Sequence, residues 1–139
     1  MPEIEYLILA DYVRQDAGMT HIMGAGLDTI TLPEDRTVGV PVGIVVRLTF
    51  SSRDRVGAQH EVTIVLERDG GNLLRAHQRF EAPPPPPGVP DHWRTSMVIA
   101  LRVPLPITGY GHYLLQATLD GDPRQSRSLD LRVIGPGQG

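Results

Sequence analysis

His21, His60, His77, His92 and His112 are the five histidines of this chain, and metal binding or proton transfer would fall first to them. No two stand at HxH or HxxxH spacing and no HExxH occurs, so the spacings that bring two imidazoles to one ion are missing. His77 and His112 fall on outward positions from which they could meet across strands. Asp120-Gly121-Asp122, and Asp69 with Asn72, cluster carboxylates and amides without the ligand spacing of a calcium loop; at hairpin tips, Asp and Gly serve the turn itself. Ser51, Ser52, Ser96, Ser126 and Ser128 lie in turns or on strand faces, and no G-x-S-x-G elbow presents a nucleophile. Gly24-Ala25-Gly26 lacks the third glycine and the following helix of a phosphate-binding loop. No catalytic, cofactor-binding or metal-ligating residue is therefore expected, and no cofactor; the chain reads as something other than an enzyme.

Every one of the 13 basic residues is arginine. Arg47, Arg75, Arg79, Arg94 and Arg102 project from outer faces and Arg53 and Arg55 from a loop, an arrangement that could grip phosphates. Only 5% of the chain is aromatic, too little for base stacking along those faces, and the net charge is -3. Glu61, Glu67 and Asp130 share the faces, so cross-strand ion pairing is the favoured reading over nucleic acid.

The elements that hold these residues alternate with a period of two. Val62, Ile64 and Leu66 oppose Glu61, Thr63 and Glu67; after Asp69-Gly70-Gly71-Asn72, Leu74, Ala76 and Phe80 oppose Arg75, His77 and Arg79. This is a hairpin with one apolar face. The same alternation covers 42–50, 95–103, 113–119 and 128–134, the last two joined at Asp120-Gly121-Asp122-Pro123. Tyr6–Ala10 is apolar on both faces, as a strand buried on both sides would be. An Asp16-Ala17-Gly18 turn then leads to 21–26, where Gly24 and Gly26 suggest a bulge or close approach, and on to Leu27–Leu32. Pro83–Pro87 must be polyproline II, a stiff strap of about 15 Å within an 83–90 connector.

Such a chain reads as all-β: one antiparallel immunoglobulin-like β-sandwich of about 8–9 strands over 1–135, with an extra N-terminal hairpin, little or no helix, and a frayed 136–139 tail. Gly111-x-Tyr113-x-Leu115 after Pro106-Ile107-Thr108-Gly109 resembles the tyrosine corner of immunoglobulin-like domains. That likeness implies that the Tyr113 hydroxyl reaches back to the preceding turn. The runs 42–50, 59–68, 73–80, 95–103, 113–119 and 128–134 then become strands B to G. Trp93, Tyr113, Phe50, Phe80, Leu66, Ile99 and Leu115 are expected in the core.

A further resemblance covers Leu9–Leu32. Ala10-Asp11-Tyr12, a turn containing Gly18, and Ile22-Met23-Gly24-Ala25-Gly26-Leu27-Asp28-Thr29-Ile30 are similar to the opening of a family of small bacterial β-rich proteins of unknown function. That family implies no activity, cofactor or catalytic residue.

The chain has 139 residues, enough for one domain with a real core, and no cysteine. Its acidic start lacks the pattern of a signal peptide and no apolar run spans a membrane, so a cytoplasmic protein is expected. Leu7, Leu9, Val45, Val98, Ala100 and Leu114 are apolar where a lone sandwich meets water, which marks protein contact. The expected function is a non-catalytic interaction or assembly module, as a homo-oligomer or with a larger protein partner. The alternative is a small-molecule or glycan-binding module using the loops Gly24–Asp28 and Pro83–Trp93, with His92 and Trp93 as a stacking surface.

Overall fold

The computed structural model describes residues 2–16, 19–51, 54–90 and 93–137. Ten strands and no helix form among these residues: β1 (Glu3–Ala10), β2 (Tyr12–Asp16), β3 (Met19–Met23), β4 (Thr29–Thr31), β5 (Thr37–Phe50), β6 (Gln59–Arg68), β7 (Gly71–Glu81), β8 (Thr95–Thr108), β9 (Gly111–Leu119) and β10 (Ser126–Ile134). They make a β-sandwich. One sheet runs β1-β5-β8, the other β4-β10-β9-β6-β7, and β2 and β3 pair only with each other. The alternating apolar residues of both sheets meet in one core, with Ile4, Leu9, Ile44, Leu48, Ile64, Leu66, Leu105, Ile107, Leu115, Leu119 and Leu131 all fully buried. Each large side chain buried this way contributes about 1.5–3 kcal/mol.

Turn chemistry holds as the sequence indicates. β6 and β7 are joined by Asp69 and Gly70, both at positive φ (51° and 80°), the geometry of a two-residue hairpin turn. Asp120 and Gly121 repeat the pair of positive φ values (53° and 68°) at the start of the longer 120–125 connection between β9 and β10. The Tyr113 hydroxyl does reach back: it donates to the Gly109 carbonyl at 2.5 Å and accepts from the Thr108 N–H at 3.0 Å.

Several expectations are corrected. The run 73–80, given the place of strand D, does not join the sheet of β8; as β7 it stays beside β6. A period of two tells which face is apolar but not which neighbour a strand takes. The runs 42–50 and 95–103 are each longer, because Pro41, Pro104 and Pro106 lie inside strands rather than ending them. A proline lacks only the N–H, so it fits where a strand has one neighbour. β8 is an edge strand throughout, and β1 pairs with β5 only from Gly43 to Thr49, leaving Pro41 past its reach. Tyr6–Ala10 pairs with β5, and the extra N-terminal hairpin is β2–β3; Ala17 and Gly18, expected in its turn, lie outside the described residues, as do Gln138 and Gly139 of the tail.

That hairpin forms a third layer. A register shift between Ile4 and Tyr6 re-phases β1, so Leu7 and Leu9 face the sandwich core while Tyr6, Ile8 and Ala10 face the hairpin. Val13 of β2 lands on Gly43, where a Cβ would sit 2.5 Å from its Cγ1, and completes a second small core with Ala10 and Val45. Ile22, Val98 and Ala100 pack around it.

Candidate functional site

The surface expected on β1, β5 and β8 is largely spent inside the chain. Leu9 and Val45 are 0% exposed, the first in the main core and the second under the hairpin. Val98 and Ala100 are half-buried beneath the same hairpin, and Leu7 is half-buried against the core. Leu114, half-buried on the outer face of the larger sheet, sits between Asp130 and Glu67 in register. The six residues thus form no single patch.

The two loops of the ligand-binding alternative also part. Gly24 (φ 66°) and Gly26 (φ 82°) turn the chain between β3 and β4, and the Asp11 carboxylate occupies the space a Cβ on Gly24 would need. Leu27 N–H then bonds the Leu9 carbonyl at 2.9 Å, and Leu9 pairs with Ile44. Ile44 lies about 20 Å along β5 from the Phe50 end where the proline strap sits.

The strap end is where a recess forms. Ala82 exchanges bonds with the 57–58 backbone, its N–H to the Ala58 carbonyl at 3.0 Å and its carbonyl to the Gly57 N–H at 2.9 Å. Pro83–Pro87 then offer no N–H, so the ladder cannot continue and the chain leaves the sheet. It turns at Gly88 (φ 81°), where Val89 N–H reaches the Pro86 carbonyl, and Trp93 N–H bonds the Pro90 carbonyl before β8 begins at Thr95. Opposite, Asp54 folds back on Ser51: its Oδ2 accepts from the Ser51 N–H at 2.6 Å and from its hydroxyl at 3.3 Å.

Phe50, Ser51, Asp54, Val56, Pro83 and Trp93 are among the walls of a cavity of about 330 Å³ between these segments. Its floor is rigid. Phe50 meets Phe80 edge-on at 6.2 Å, and Phe80 stacks on His60 at 5.5 Å. His60 Nδ1 bonds Asp120 at 2.7 Å, and Asp120 also accepts the Glu61 N–H at 2.9 Å. Trp93, expected in the core, is instead 58% exposed: it precedes β8 and so lies outside that strand's alternation. A second recess of about 430 Å³ shares Pro83, Trp93 and Thr95 with it and adds Pro84, Pro86, Val89, Arg94 and Ser96. Val56 is 53% exposed on the facing loop. His92 lies outside the described residues.

The remaining chemistry-bearing residues are in structural roles or scattered. His77 in β7 bonds Thr63 and Glu61, each at 3.2 Å. It does not meet His112, because β6 lies between their strands and the register offsets them by six positions. No group of three or more His, Asp and Glu that could hold a metal occurs among the described residues. Arg47 pairs with Glu5 at 2.9 Å, Arg79 with Glu61 at 3.4 Å and Arg94 with Glu3 at 3.1 Å, the cross-strand pairing favoured from sequence for the first two. Arg102 instead lies over the Tyr12 ring at 4.9 Å and donates to its hydroxyl at 2.9 Å.

Arg68 was not marked out by sequence reasoning, yet it ties the β8–β9 corner. Its guanidinium donates to the Thr108 carbonyl (2.7 Å), the Tyr110 carbonyl (2.6 Å) and the Tyr113 hydroxyl (2.8 Å). The signal was present in the alternation: Val62, Ile64 and Leu66 continue in phase to Arg68, and an arginine on an apolar phase needs carbonyls to meet its charge.

A model of a family of unknown function, DUF6941, matches residues 5–133. No curated protein matches the chain.

Proposed function

The chain belongs to DUF6941, a family with no function to lend it, and from its own surface we propose a non-catalytic protein-interaction or assembly module. The contact surface in this reading is the strap end. The observation that supports it is Trp93, the sole tryptophan of the chain, 58% exposed and lining two proline-walled recesses. A large aromatic held at the surface beside apolar walls is the side chain that dominates contact energies when a partner covers it. The partner is a second copy or a larger protein. The three-and-five strand order and the Tyr113 corner support the immunoglobulin-like reading of the scaffold, a build that presents loops at its ends.

Light scattering coupled to size-exclusion chromatography over a range of concentrations tests it first. A dimer or larger species that Trp93→Ala returns to monomer supports self-assembly through this end. A monomer that captures a specific host protein, and loses it on the same substitution, supports the larger-partner form. An assembly indifferent to Trp93→Ala counts against the strap end.

A second reading has an observation of its own. The 330 Å³ recess places Ser51, Asp54 and Thr95 near the indole, the mix of apolar walls and few polar groups typical of small-ligand sites. Quenching or shift of Trp93 emission by one member of a glycan panel, saturable and absent with the others, would favour this reading over protein contact.

A further inference from the structure

Four strands lie at the edges of the two main sheets, and three of the edges are obstructed. β4 is three residues long. β1 is broken by its register shift. β8 carries Pro104 and Pro106, and the Gln15 amide already takes the Val98 carbonyl at 3.1 Å. β7 differs: eleven residues without a proline, in unbroken register with β6 from Leu74 to Glu81, and with no strand on its other side among the described residues. An open edge of this kind holds a row of main-chain donors and acceptors that an extended peptide can complete.

The side chains restrict what could pair there. Arg75, His77 and Arg79 alternate along the outward face of β7, all exposed. Glu61 serves both His77 and Arg79, while Arg75 has no ion-pair partner among the described residues. Charges on an edge deter pairing, and here they deter one pairing above all. Two β7 edges laid antiparallel about His77 would set Arg75 against Arg79 and histidine against histidine, so a second copy is disfavoured. A strand with carboxylates at the matching alternate positions is favoured by the same charges. On the inward face Leu74 and Ala76 are half-buried and extend the core to the edge, so the alternate residues of the incoming strand that flank them should be apolar.

We infer that the free edge of β7 is a strand-addition site for an extended peptide segment that alternates acidic and apolar residues. The site is separate from the strap end and does not rest on it. The probe is an end-blocked seven-residue peptide alternating glutamate and valine, with a version carrying lysine for glutamate, titrated into the isotope-labelled full chain. Binding of the glutamate peptide should shift and protect amides within Gly71–Glu81, leave Trp93 emission unchanged, and weaken as salt rises. Arg75 is exposed, so Arg75→Glu should fold normally; it should weaken the glutamate peptide about tenfold and favour the lysine one. Arg75→Gln, without reversal, should give an intermediate loss. No amide shift with the glutamate peptide, shifts outside β7, or equal affinity for wild type and Arg75→Glu would each overturn the inference.

Discussion

Tyr113 shows how one hydroxyl fixes a corner. It bonds the Gly109 carbonyl, the Thr108 N–H and the Arg68 guanidinium at once, in a site closed to water. Tyr113→Phe should cost about 1–2 kcal/mol in denaturant unfolding, since it removes the hydroxyl's bonds to the Gly109 carbonyl and the Thr108 N–H from a site closed to water; an unshifted midpoint would remove the hydroxyl from the account. Trp93 is the opposite case. Exposed as it is, Trp93→Ala should change stability by no more than about 0.5 kcal/mol; a larger drop in the same assay would return it to the core. At Asp122 the carboxylate is held below its ordinary value of 3.8, first by the Arg124 N–H at 3.0 Å and then by the Arg124 guanidinium. A depressed carboxylate contributes its stability above the unfolded value and loses it as pH falls through the folded one. Asp122→Asn should therefore flatten the acid limb of the stability curve below about pH 4 and leave neutral pH little changed.

The β2–β3 hairpin is the element least visible beforehand. Its partners, Val45, Val98 and Ala100, were visible as apolar residues on a face expected to meet water, and what the sequence lacked was any sign that β2 would cover them. Gly43 is the one hint: a glycine amid Val42, Ile44 and Val45 leaves room for Val13. By contrast, both hairpin turns and the inward faces of β6, β7, β9 and β10 were legible, because alternation and Asp-Gly chemistry are local. Sheet membership was not, and neither was the strap-end recess, whose walls come from segments far apart in sequence. Val13→Ala should loosen the hairpin without unfolding the sandwich. Amide exchange should then accelerate in Tyr12–Met23 while β5 and β8 keep their protection.

Across the whole molecule, order comes from pairings that span the chain. β5 waits for β8, which begins at Thr95, and β4 pairs in parallel with the 132–134 segment of β10. Among the described residues, only β6–β7, β9–β10 and β2–β3 are hairpins of neighbouring strands. Contacts of such long range make for slow folding, in the range of milliseconds to seconds.

The parallel contact between β4 and β10 has a consequence during synthesis. A ribosome releasing these strands in order delivers β4 well before its partner, so Ile30 and Leu32 have no β10 to lie against until Arg132–Ile134 emerge. The larger sheet stays open along that seam until β10 arrives. Its apolar interior is then in reach of chaperones, and the final strand acts as the closing stitch.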